Sequence, residues 1–174
     1  MKLRCYLLFT IGIITAGGCA SYRMGAESLY APDVQTVYVP MIESDSFRRD
    51  LGERLTEAVV KEIELKTPFK VVGSPDADSI LSARLLSDTK RVIVENRNDD
   101  PRALEMGMLA EITWINRRRE PLCLPNTIPL PPELLPINQT ATQITAAGQS
   151  TVTTQQLAIE RLAQQIVSTM EEGW

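Results

Sequence analysis

Apolar and polar positions recur along this chain of 174 residues in runs that define its elements. Residues 34–39 read Val-Gln-Thr-Val-Tyr-Val and are closed by Pro40, which predicts a strand. Phe47, Leu51, Leu55, Ala58, Val59 and Ile63 then recur at three- and four-residue steps. Arg48, Arg49, Glu53, Arg54, Glu57 and Lys61 take the other face. The pattern predicts an amphipathic helix starting at Ser46 or Phe47, capped by Asp45 and stopped at Thr67-Pro68.

Residues 69–73 predict a short second strand, and Ser74-Pro75-Asp76 turns the chain. Residues 79–85 and 91–95 share strand character, as one long bent strand or as a hairpin around Asp88. Residues 96–102, rich in Asn and Asp, read as a loop. Leu104, Met106, Met108, Ala110, Ile112 and Trp114 keep one phase through a strand over 104–115. Residues 116–120 turn it, and 121–124 read as a short returning strand. Pro125, Pro129, Pro131, Pro132 and Pro136 make 125–137 an extended proline-rich loop. A polar stretch over 138–154 leads to a last helix capped by Thr153 or Thr154, with the stripe Leu157, Ile159, Leu162, Ala163, Ile166, Val167 and Met170. The predicted fold class is α+β. It is a two-layer α/β sandwich whose mixed or antiparallel sheet of about four strands carries both helices on one face.

The N-terminus adds an address. Met1-Lys2-Leu3-Arg4 is basic, residues 5–16 are largely apolar, and Gly17-Gly18-Cys19 follows. The apolar run falls short of the roughly 20 residues that span a bilayer, so residues 1–18 read as a signal peptide. The Cys after small residues resembles the lipobox of bacterial lipoproteins, although Ala16 stands where Leu is common. That resemblance makes Cys19 the lipidation site, with residues 19–33 an acylated tether and 34–172 a single domain. The weaker alternative is ordinary secretory cleavage nearby, with Cys19 left as a free thiol. Acyl chains contribute roughly 0.8 kcal/mol per buried methylene, enough for two or three to hold a protein on a membrane. Ala20 rather than Asp after the Cys leans towards the outer membrane.

Composition narrows the chemistry. Without Lys2 and Arg4 the mature chain has 16 basic and 22 acidic residues, a net charge of −6. That balance opposes nucleic-acid binding. With Cys5 removed and Cys19 acylated, Cys123 has no partner for a disulfide, and a packed core must carry stability. The absence of histidine removes Ser-His-Asp and Cys-His catalysis and His-ligated zinc. The reading is therefore non-catalytic, with no cofactor or metal.

Several segments in order resemble the lipopolysaccharide-assembly lipoprotein family, LptE. They are residues 28–37 (Ser-Leu-Tyr-Ala-Pro-Asp-Val-Gln-Thr-Val) leading to Val39-Pro40, then Phe47-Arg48-Arg49 and Leu55-Thr56-Glu57-Ala58. Residues 64–72, 77–81 and 158–167 follow. Each is a weak pattern of core residues; their order over nearly the whole mature chain is specific. The resemblance implies a lipid-anchored protein of the outer membrane, facing the periplasm and seated in the β-barrel LptD. Together the two would move lipopolysaccharide to the outer leaflet. The proline-rich loop has no counterpart in that pattern.

Arg117, Arg118 and Arg119, at a predicted turn, are candidate contacts for the lipid's phosphates through charge-assisted hydrogen bonds. Lys90 and Arg91, with Arg97, join them if the strands bring all to one end. A solvated turn explains the run as simply, and Glu120 offsets part of its charge. Asp76, Asp78, Asp99 and Asp100 lack the spacing of a calcium loop and read as turn formers. Gln155, Gln156, Gln164, Gln165, Ser168 and Thr169 leave the last helix with an uncharged outer face, which suits a polar barrel lumen. The alternative function is a periplasmic regulatory or secretion-pore lipoprotein of the cell-wall-synthase activator type, which also pairs a lipobox with a Val-rich strand and a capped helix. A glycan hydrolase would need two carboxylates held together, and no motif supplies them.

Overall fold

The computed structural model describes residues 30–122 and 135–171. The signal peptide, Cys19, the tether up to residue 29, Cys123 and residues 125–134 of the proline-rich loop lie outside them. The elements are β1 (Thr36–Tyr38), β2 (Glu43–Ser44), α1 (Leu51–Lys66), β3 (Lys70–Val72), β4 (Ser79–Glu95), β5 (Pro101–Asn116), β6 (Leu135–Ile144) and α2 (Thr151–Ser168). A single 3-10 turn, Thr145–Ala147, joins β6 to α2. The sheet runs β3-β1-β4-β5-β6, with β2 on the edge of β4. β1 lies parallel to β3 and β4, whereas β4, β5 and β6 form an antiparallel meander. The α+β class and the mixed sheet are as the sequence predicts, with six strands in place of about four.

The two-residue alternation of β5 makes the layers. Leu104, Met106, Met108, Ala110, Ile112 and Trp114 are all buried, while the intervening residues are half-buried. Leu51, Leu55, Val59 and Ile63 of α1, and Ile159, Leu162 and Ile166 of α2, form one core with Met108, Ala110, Ile112 and Trp114. Each such side chain contributes roughly 1.5–3 kcal/mol of burial free energy. Gly52 lets α1 lie close, since a Cβ there would stand 2.2 Å from the Ile42 carbonyl oxygen. Phe69 meets Tyr30 edge-on, with centroids 5.4 Å apart, and Trp114 at 5.9 Å.

Several boundaries depart from the sequence expectation. α1 begins at Leu51, and Asp50, in a left-handed conformation (φ 67°), takes the cap position without a side-chain bond. Asp45 instead pairs with Arg84 at 2.8 Å, and Phe47, expected on the buried stripe, is fully exposed. The segments 79–85 and 91–95 form one strand; a bulge between Leu85 and Ser87 absorbs the irregularity at Asp88. The returning strand after residue 120 shrinks to one bridge between Ile115 and Pro121.

The largest correction is β6. Residues 135–137, expected in the loop, and the polar run to Ile144 pair with residues 103–112 of β5. The sheet tolerates Pro136 because β6 is an edge strand, where a missing amide donor costs little. Ser150 caps α2, its hydroxyl accepting the Thr153 amide at 3.1 Å, and Leu157 stands partly exposed.

Candidate functional site

One end of the sheet is built by a clasp of three segments. Asp78, just before β4, accepts the Thr36 hydroxyl at 2.8 Å and the Thr36 amide at 3.0 Å through one carboxylate oxygen. In return Thr36 Oγ1 accepts the Asp78 amide at 2.9 Å. The Thr36 hydroxyl, helped by the Gln35 and Thr36 amides and the Arg117 charge, holds the Asp78 carboxyl below its ordinary range. Arg117 completes the clasp, donating to the carbonyl oxygens of Ala77 at 3.0 Å and Asp76 at 2.5 Å.

The turn after β5 is wound on Asn116, whose side-chain oxygen accepts the amides of Arg118 at 2.8 Å and Glu120 at 2.9 Å. Arg119 takes a left-handed conformation (φ 62°). Arg117 is therefore committed to the fold, whereas Arg118 and Arg119 are exposed and form no ion pair among the described residues. Between this turn and Pro75–Ala77 lies an open cleft of about 580 Å³. Ile80 and Ile115 line it with apolar surface, Arg117 and Arg119 with positive charge and Asp76 with one carboxylate.

Lys90 and Arg91 lie elsewhere. They pair in register with Met106 and Glu105, ten and eleven residues along β5 from Asn116. At about 3.3 Å per residue that separation is roughly 33 Å, so the two basic groups do not form one site. Arg91 bonds Glu105 at 2.5 Å. Arg97 lies in the turn joining β4 to β5, at that same far end. Asp76 and Asp78 are likewise parted from Asp99 and Asp100, and among the described residues no acidic or cysteine group is arranged to hold a metal.

Five of the six polar residues predicted on the free face of α2 are used within the molecule. Gln155 and Gln156 accept from Arg54 of α1, Gln165 accepts from Gln139 of β6, and the Ser168 and Thr169 hydroxyls donate to the carbonyl oxygens of Gln165 and Ile166. The exposed face instead carries Val152, Thr153, Leu157, Glu160, Arg161, Gln164 and Ser168. The groove between α1 and α2, about 350 Å³, sets Arg54 and Lys61 among Glu57, Glu62 and Glu160, so it offers an anion no surplus of positive charge. No described helix is long and apolar enough to cross a membrane.

Tyr30 fixes where the N-terminal segment joins the fold. Its hydroxyl donates to the Lys66 carbonyl at 3.3 Å, at the end of α1, and burial foremost, with the Glu171 charge second, raises its pKa. Its ring touches Phe69, which in turn touches Trp114, two residues before Asn116. The chain thus enters at the clasp end. No local pattern signals this clasp, because Thr36 and Asp78 are 42 residues apart.

Among solved structures, the hypothetical protein CT253 from Chlamydia trachomatis superposes with a TM-score of 0.51 at 11% identity, over 78% of this chain and 94% of that one. A PelC dodecamer from Paraburkholderia phytofirmans gives 0.50 at 11% identity, over 88% and 96%. These likenesses show a shared fold. Rare lipoprotein B from Shewanella oneidensis gives 0.46 at 12% identity, over 78% and 93%. No curated protein matches the chain. The family model described as LptE, lipopolysaccharide-assembly, matches residues 34–170, the whole domain from β1 to the end of α2, and the chain belongs to that family.

Proposed function

We propose that the protein is a non-catalytic outer-membrane lipoprotein, anchored through acylated Cys19 and facing the periplasm. It complexes with an LptD-like β-barrel and takes part in lipopolysaccharide transport to the outer leaflet. Family membership supports the pathway. The observation that carries the lipid contact is the cleft beside the clasp, with Ile80 and Ile115 as apolar wall and Arg119 at the rim. A phosphorylated, acylated glycolipid offers matching chemistry, since its phosphates suit guanidinium groups and its acyl chains suit aliphatic surface. Arg119 supplies charge at the cleft, Arg118 stands next to it on the same turn, and Arg117 positions that turn. Lys90 and Arg91 would form at most a separate contact.

The cleft lies at the end where Tyr30 joins the N-terminal segment to the fold. Ten residues separate Cys19 from Tyr30, a span of at most about 40 Å from the membrane to the fold. The test is binding of labelled lipopolysaccharide to the full chain in detergent. The variant Arg118→Ser/Arg119→Ser should bind about tenfold more weakly. Unchanged binding would remove this cleft from the account.

A further inference from the structure

Both helices pack on one face of the sheet, and among the described residues no element covers the other. On that open face the strand register sets four apolar side chains in one row. Val72 of β3 lies beside Tyr38 of β1, Tyr38 beside Ile80 of β4, and Ile80 beside Ile115 of β5. Their chain neighbours Val37, Val71, Leu81 and Trp114 belong to or pack against the core, so the four face the opposite way. Each of the four is half-buried.

Polar rows border this strip on both sides. Towards the clasp run Lys70, Thr36, Asp78 and Arg117, joined by register and by the Thr36 and Arg117 amides donating to Asp78. On the other side stand Ser82 and Thr113, and beyond them Arg84 and Glu111. The apolar strip is therefore one side chain wide and four strands long. At one end Ile80 and Ile115 are also the apolar wall of the clasp cleft, which Arg119 lines with positive charge.

That shape selects the occupant. A stable protein interface covers roughly 800 Å² on each partner, far more than four half-buried side chains in single file offer. An acyl chain needs only a narrow apolar track. From Ile115 to Val72 is three strand spacings, about 14 Å at roughly 4.8 Å each. The hydrocarbon core of a bilayer is about 30 Å thick, so a chain of one leaflet reaches about 15 Å. We propose that Ile115, Ile80, Tyr38 and Val72 form the track of one acyl chain of the glycolipid whose phosphate meets Arg119. The chain leaves the cleft over Ile80 and crosses β1 to end at Val72. This inference rests on the lipid reading of the cleft and adds to it the path of the chain.

The test compares two probes on the full chain in detergent: intact lipopolysaccharide, and lipopolysaccharide stripped of its ester-linked chains by mild alkali. Wild type should bind the stripped form about tenfold more weakly. Tyr38→Thr/Val72→Thr keeps β-branched residues in both strands. It should bind the intact form about tenfold more weakly and distinguish the two probes by no more than about twofold. Val72→Thr alone guards against a folding defect of the pair and should reduce the ratio to about threefold. Arg118→Ser/Arg119→Ser, weaker overall, should keep the wild-type ratio. Wild-type affinities in the threonine variant would overturn the track, leaving the strip to another part of the chain or a partner protein, with the cleft reading intact. Equal losses for both probes would show a merely structural role and overturn it too. No binding of either probe by wild type, or unchanged binding by the arginine variant, would instead sink the cleft reading and the track with it.

Discussion

Asp78 and Thr36 are held together twice over: the carboxylate accepts the threonine hydroxyl and amide, while the hydroxyl oxygen accepts the aspartate amide. The pair fixes β1 against the start of β4 and, through Arg117, sets the turn that carries Arg118 and Arg119. The carboxyl titrates below its usual range because these donors favour the charged form. The unfolded chain then binds the proton first as pH falls. The contribution is complete above about pH 4–5, where an unfolded aspartate is ionised, and is lost as pH drops through the lowered folded value. Urea midpoints measured from pH 6 to pH 2.5 should fall less steeply at the acid end in Asp78→Asn, which should also start lower. Parallel profiles would show that Asp78 contributes nothing to the acid response.

Arg117 should behave differently from its two neighbours. It holds two backbone carbonyls of the preceding turn, so Arg117→Ser should lower the thermal midpoint by a few degrees, equivalent to about 1–2 kcal/mol. Arg118→Ser/Arg119→Ser should leave the midpoint within about a degree, because exposed cations without partners contribute little. Equal effects would mean that the three arginines share one role.

Gly52 tests the packing of α1. A methyl group there collides with the backbone of Ile42, and Gly52→Ala should cost about 2–3 kcal/mol despite alanine's better helix propensity. A stabilised Gly52→Ala would show that the helix shifts freely.

Leu162, fully buried between helix and sheet, tests the core itself. Leu162→Ala should lose about 2–5 kcal/mol in a urea titration, with partial unfolding at 37 °C. A loss below about 1 kcal/mol would mean a core able to collapse around the gap.

The elements that were legible in sequence are those whose burial pattern is local. α1, α2 and β5 each present one apolar face at a period of 3.6 or 2, and the body of each lies where that period predicts. β6 was hidden because its partners are far away. Its residues Asn138, Gln139, Thr140 and Thr142 are polar, and only pairing with β5 makes them a strand. Propensity weakly constrains such an edge, and Pro136 argued the wrong way. The start of α1 was misread because Phe47 matched the helical phase, yet Ser46 and Arg48 are drawn outward to Asp88 of β4. The cleft was half legible: the arginine run showed, but the separation of Lys90 and Arg91 from it depends on the unbroken length of β4, which the sequence left open.

The central claim, assembly with an outer-membrane barrel, is tested most directly by stoichiometry. Outer membranes from cells making a tagged full-length chain would be solubilised in mild detergent, the chain captured, and the amounts of co-purifying proteins measured. One large β-barrel per chain, lost on disruption of the barrel's fold and retained in Arg118→Ser/Arg119→Ser, is the expected result. Recovery of a cell-wall synthase, or of this chain with no barrel, would contradict it.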